Sequence, residues 1–382
     1  MGMLNRGLLA VSLCVAGLTG VAHAQVSSTN PAGLIVFPLV EAGEDFDTEI
    51  QISNTSSELV HVRCYLVNAN SHCSNLPQQV CVEDNDCCPT PGCDAFCLPG
   101  WTETDFRFTL TRNQPIVWRL GNGLPSFPLD GITRVAQDGQ FNMDSNIPPA
   151  PEIPFFGELK CFQVDGNDNP VALNDLKGEA TIVLASEEVD AELYNAVGIP
   201  ATLANDGNDI LCLGGTEPTE DCPIAEYEGC PNVLILNHLF DNIMPPVGES
   251  VQTRLTVAPC SENFLNQATV KTTLQFLVFN EFEQRFSTSR RFDCLFSTIL
   301  SDIDTRLGPD DDQFSIFNAV VQGTYAGQSR IRAVQTEETD VGHGVIAVAE
   351  ERHELVETYR AAFQVHHAGI RTQGDIIRAP RE

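Results

Sequence analysis

Apolar residues recur at every second position in short runs closed by Asn, Ser, Gly, Pro and Asp, and this restricts the chain to β-structure. Ile50 and Ile52 alternate with Glu49, Gln51 and Ser53, and Val60, Val62, Cys64 and Leu66 share one face. Phe106, Phe108 and Leu110 alternate with Asp105, Arg107 and Thr109. Val270, Leu274, Phe276 and Val278 continue the pattern in the second half. Short strands with Pro-rich and Gly-rich connections predict antiparallel β-sandwiches. One stretch reads differently. Ser186 can cap a helix, Glu187 and Glu188 suit its first turn, Val189 and Leu193 are four apart, and Gly198 can end it, so a helix is expected over 186–197.

The N-terminus reads as a secretory signal peptide. Arg6 supplies the positive region, residues 7–21 are uncharged and apolar, and Ala22-His23-Ala24 is a small-x-small cleavage site before Gln25. The apolar stretch is shorter than the ~20 residues that span hydrocarbon, and no later run is long enough. Removing residues 1–24 takes away Cys14 and leaves thirteen of the fourteen cysteines. In an exported chain these predict disulfides, with at least one Cys lacking an intrachain partner.

Six cysteines crowd into one segment: Cys73, Cys81, Cys87, Cys88, Cys93 and Cys97. Some 25 residues cannot bury enough apolar area to hold themselves together, so covalent loops substitute for a core. The spacing lacks the C-x2-C pairs of a zinc site. Elsewhere Cys64 and Cys161 both sit in strand patterns and are paired here, although any insert Cys could compete. Cys260 follows the strand Thr253–Ala258 and Cys294 ends another. As the only cysteines of the second domain, they are expected to bond to each other.

The two halves echo one another. Leu34 to Leu39 resembles Leu234 to Leu239, Thr48 to Ile52 resembles Thr253 to Val257, and Gly157 to Val164 resembles Gly327 to Val334. A constant offset carries Val183, Glu192, Tyr194 and Ala196 onto Val348, Glu357, Tyr359 and Ala361. The common order suggests a tandem duplication: domain 1 over 25–213 with the Cys-rich insert at 73–97, a polar linker over 214–230, and domain 2 over 231–382.

Several of these segments carry a resemblance. Phe37-Pro38-Leu39, then Ile50, Ile52 and Asn54, then Val60 to Asn68, resemble the opening strands of immunoglobulin-like domains in exported bacterial proteins of unassigned function. Asp105 to Thr111 with Gln114-Pro115 and Trp118, Asn280-Glu281-Phe282-Glu283 with Phe286 to Ser289, and Ala347 to Glu351 look like further patterns of that group. The resemblance implies two tandem immunoglobulin-like antiparallel β-sandwiches and export. It implies no active site.

Charge narrows the partners. With 52 Asp and Glu against 21 Lys and Arg, and only three lysines (Lys160, Lys177, Lys271), nucleic acid and anionic membranes are poor partners. Acidic turns such as Asp165, Asn167 and Asp168 offer oxygens that suit calcium. Pro170 stands where an EF-hand loop needs Gly, and Leu176 where it needs Glu, so an ordinary turn is the preferred reading and no cofactor is expected. His353-Glu354 lacks the second His of a zincin. There is no G-x-S-x-G, P-loop or dinucleotide fingerprint. The expected function is a non-enzymatic exported module that binds a protein or glycan or assembles a surface. The alternative is a secreted hydrolase or metal-dependent enzyme whose site leaves no motif. The insert, acidic through Glu83, Asp84, Asp86 and Asp94, reads equally as a binding element, with Phe96 exposed and Trp101 beside it as anchor, or as a cap on a sandwich edge against strand pairing.

Overall fold

The computed structural model describes residues 26–81, 84–88, 94–123, 147–184, 190–214, 220–242, 250–304, 306–307, 313–334, 344–354, 358–368 and 374–380. The signal segment, Glu83, Cys93, His343 and residues 215–219 of the linker lie outside them.

Alternation produces strands wherever it is clear. The first half forms β1 (Leu34–Ala42), β2 (Phe46–Asn54) and β3 (Val60–Asn68), then three short insert strands, β4 (Ser71–Cys73), β5 (Leu76–Cys81) and β6 (Cys97–Leu98). It continues with β7 (Thr102–Leu110), β8 (Pro115–Arg119), β9 (Phe155–Val164), β10 (Leu176–Leu184), β11 (Ala191–Asn195) and β12 (Val197–Ile199). The expected helix over 186–197 is therefore corrected. Its described part is strand, because Glu192, Tyr194 and Ala196 follow period 2 and Tyr194 is buried opposite Ala180.

After β13 (Ile210–Leu213), the second half forms β14 (Val233–Leu239), β15 (Ser250–Pro259), β16 (Glu262–Asn263), β17 (Lys271–Asn280), β18 (Arg285–Asp293) and β19 (Phe296–Ile299). Two short strands, β20 (Arg306–Leu307) and β21 (Gln313–Phe314), precede β22 (Ala326–Val334), β23 (Val345–Glu354), β24 (Thr358–Gln364), β25 (His366–Ala368) and β26 (Asp375–Arg378).

The chain is all-β and its sheets are mainly antiparallel. In the first half one row runs β7-β3-β9-β1-β12 and another β8-β2-β10-β11, joined where β1 meets β2 at Ala42 and Asp47. In the second half the rows run β18-β17-β22-β14-β25 and β19-β15-β23-β24. Taken in chain order, the nine strands of each set pair in the same sequence. The expected match of Tyr194 with Tyr359 is displaced, however. Ala180 faces Ile50 and Tyr194, whereas Ala349 faces Leu255 and Phe363, so Phe363 holds the place of Tyr194. Tyr359 lies opposite His353 and is exposed.

Each half has its own core. Ile35, Phe37, Ile50, Ile52, Phe106 and Trp118 pack in the first, and Leu236, Leu255, Leu274, Phe276, Phe317 and Ala347 in the second. A third cluster draws on both, with Tyr65, Phe162 and Trp101 from one half and Cys260, Phe264, Ile346 and Ile377 from the other. Because this cluster covers its outer face, β3 is buried on both sides, which simple alternation does not anticipate. The sheet β13-β26-β16 lies on this seam, its C-terminal strand antiparallel to β13 and parallel to β16.

Candidate functional site

The insert is built as its cysteine content predicts. Cys73 bonds to Cys87 and Cys81 to Cys97, and Cys88 is also disulfide-bonded. Its core is little more than Cys73, Cys81, Cys87 and Ala95, a cluster separate from those of the sandwich. The insert is anchored at its base. Glu152 accepts from the Asn68 amide at 2.6 Å and the Asn70 amide at 2.8 Å, and pairs with His72 at 2.9 Å. Against the cost of partial burial, these three contacts hold its carboxyl below the usual range. The chain re-enters the sandwich at Gly100, where an added Cβ would stand 1.3 Å from the Asn70 carbonyl oxygen, so only glycine fits.

The placement of Trp101 corrects the sequence reading. Its ring is buried in the cluster shared by the two halves, 6.1 Å from Phe264, and Nε1 donates to Glu262 Oε2 at 3.4 Å. It cannot serve as an exposed anchor. Among the described residues, the large apolar side chains exposed here are Leu76 and Phe96 in the insert and Leu98 at its edge, each more than half accessible.

The cysteines outside the insert fall differently from expectation in one pair. Cys64 bonds to Cys161 directly opposite it on the neighbouring strand, with Cα atoms 4.1 Å apart. This bond lies within one sheet, unlike the inter-sheet bridge of antibody domains. Cys260 bonds to Cys230, not to Cys294, and Cys294 is free and buried. Cys230, counted with the linker, is close enough because the next residue, Pro231, accepts from the Val345 amide, and Val345 pairs with Pro259 beside Cys260. Cys212 and Cys222 form a further bridge.

The calcium candidates serve a turn. Asp165 Oδ1 accepts from the Asn167 amide at 2.8 Å and the Asn169 amide at 3.0 Å, while Asp168 pairs with Arg107. His353 sits on β23 and His366 and His367 on β25, in different sheets, so these histidines do not converge.

Two clusters of ionisable groups lie between the halves, and neither is marked by a sequence motif. The first lines a cleft of about 600 Å³. Arg254 on β15 reaches Glu41 on β1 at 3.1 Å and Glu350 on β23 at 2.7 Å, and Arg360 lies 3.8 Å from Glu192. Burial, and then the neighbouring Glu350 carboxylate, push Glu192 up to about 9. The second cluster is buried throughout. Lys160 Nζ lies 2.6 Å from Glu158 Oε1 and 2.9 Å from Glu262 Oε1. Sequence reasoning missed both, since the partners come from positions far apart in a chain with 52 acidic residues.

No helix among the described residues is long and apolar enough to cross a membrane. No protein-family model matches the chain, and no curated protein matches it.

Proposed function

We propose that this chain is an exported, non-enzymatic binding or structural module of the cell surface or periplasm. In this reading it consists of two duplicated immunoglobulin-like domains, and the insert of residues 73–97 is its binding surface. The partner that suits the insert is a basic or amphipathic protein segment. One observation carries the reading: a loop rigidified by disulfides holds Leu76 and Phe96 in solvent, with Leu98 at its edge, together with the exposed Asp84, Asp86 and Asp94. Apolar side chains kept exposed on a stapled scaffold cost solubility and lose little entropy on binding, which suits an interface. The matching strand order of the halves supports duplication, and the signal-like N-terminus with its disulfides supports export. Fractionation of producing cells tests the reading. Mature protein beginning at Gln25 and recovered outside the cytoplasm with a bound protein is expected; cytoplasmic protein beginning at Met1 would overturn it.

A second reading, an exported hydrolase, is favoured by the cleft between the halves. There Glu192, whose carboxyl burial raises to about 9, lies beside Glu350, so two carboxyl groups share one cavity. Arg254, however, is already engaged by Glu350 and Glu41, and Arg360 stands 3.8 Å from Glu192, which weighs toward a structural role. Turnover of a peptide or glycan by the wild type, lost in Glu192→Gln, would favour the hydrolase.

A further inference from the structure

Lys160 is completely buried, as are Glu158 and Glu262 to within a trace of exposure. Lys160 and Glu158 project from the same face of β9, two residues apart, and Glu262 comes from β16 in the second half. The amine thus stands in contact with carboxyls from both halves, at 2.6 and 2.9 Å. Around it are the apolar side chains of the shared cluster and the buried Cys294.

The two carboxyls are not equivalent. Glu262 Oε2 receives the Trp101 indole N–H, whereas Glu158 Oε2 has no hydrogen-bond partner. Burial raises Glu158 well above the usual carboxylate range, with the Lys160 ammonium opposing it and the Glu262 charge adding to it, which favours the acid form. One ammonium, one carboxylate and one carboxylic acid make a neutral triad. Burial favours the free amine of Lys160, against which the two carboxyls hold its proton more tightly than usual. Passing that proton to oxygen leaves a neutral pair with no change in net charge, and burial favours neutral groups. An amine and an acid fixed in contact also gain the large effective concentration of an intramolecular reaction.

We propose that Lys160 and Glu262 condense to an amide that joins the two halves covalently, with Glu158 moving the protons. The Lys160 ammonium gives a proton to Glu262 Oε1, and the freed amine attacks Glu262 Cδ. Charge builds on Oε2, where the Trp101 N–H meets it. Glu158 gives its proton to the departing Oε1 hydroxyl and takes one from the nitrogen. The Cδ–Oε1 bond breaks, the N–Cδ bond remains, and one water leaves. The ammonium and carboxylate have become amide and water, with no oxidant and no external reactant, and Glu158 ends protonated as it began.

Mass spectrometry of the full-length exported protein, after disulfide reduction, decides the matter. The expected result is a mass lower by one water, a fragment in which the peptide holding Lys160 is joined to the peptide holding Glu262, and no tryptic cleavage after Lys160. An unmodified mass with linear peptides ending at Lys160 would overturn the proposal. Glu158→Gln, which keeps the shape but cannot shuttle the proton, is expected to restore the lost water in protein with an unchanged circular dichroism spectrum. The wild-type mass map remains decisive if that variant does not fold.

Discussion

Glu192 ties the stability of the molecule to pH. Its carboxyl rises from 4.5 to about 9 in the folded chain, first through burial and then through Glu350. The folded state therefore binds the proton more tightly than the unfolded state, and this group's stabilisation is fully present below pH 4.5 and lost as pH climbs toward 9. Glu192→Gln imitates the protonated acid and removes that slope. Thermal midpoints should match the wild type near pH 5 and exceed it near pH 9. Parallel profiles would contradict the assignment. The cysteines give a second residue-scale prediction. Opening Cys230–Cys260, which spans 30 residues, should cost about 3–4 kcal/mol in a denaturant titration, while Cys294→Ser should cost far less. Alkylation without reduction should mark Cys294 only after unfolding. The expected Cys260–Cys294 bond arose by elimination, because Cys230 sits in a stretch that reads as linker. Trp101 was misplaced for a related reason: its neighbours in sequence are polar insert residues, and its partner Glu262 lies 161 positions away.

At the scale of elements, period 2 located the strands that face solvent on one side, such as Phe46–Asn54, where Ile50 and Ile52 are buried and Gln51 is exposed. It failed on Ala191–Asn195, where acidic residues preceding an apolar pair imitate a helix start. It said nothing of β26, whose four residues, Asp375 to Arg378, are too short to show a period. Yet that strand closes the seam. It pairs with β13 and β16, and Asp375 Oδ1 accepts from Ser261 at 2.8 Å and from the Gly344 amide at 3.0 Å. Truncation before Asp375 strips these partners from buried groups, each worth about 1–3 kcal/mol when left unpaired. The expected outcome is a clear fall in the thermal midpoint. A midpoint unchanged by the truncation would show the seam to be held elsewhere.

At the scale of the whole molecule, the halves have matching strand orders but do not behave as beads on a string. Residues 25–213 made alone would expose Tyr65, Phe162 and Trp101 to water and leave Lys160 without Glu262. This fragment is expected to aggregate or to melt well below the full chain, and an isolated half as stable as the whole would contradict a shared core. Little of this was legible beforehand, because the seam joins residues more than 100 positions apart and its charged groups follow no spacing rule. The insert was legible, because disulfide density is a local signal. It also bears the central claim, that this loop is where the exported module meets its partner. The direct test replaces residues 73–97 with a short Gly-Ser turn and compares proteins recovered with each form from producing cells. The insert has its own small cluster, so the sandwich should fold, export and melt as before while the recovered partner is lost. Recovery of the same partner in undiminished amount by the folded, insert-free protein would contradict the account.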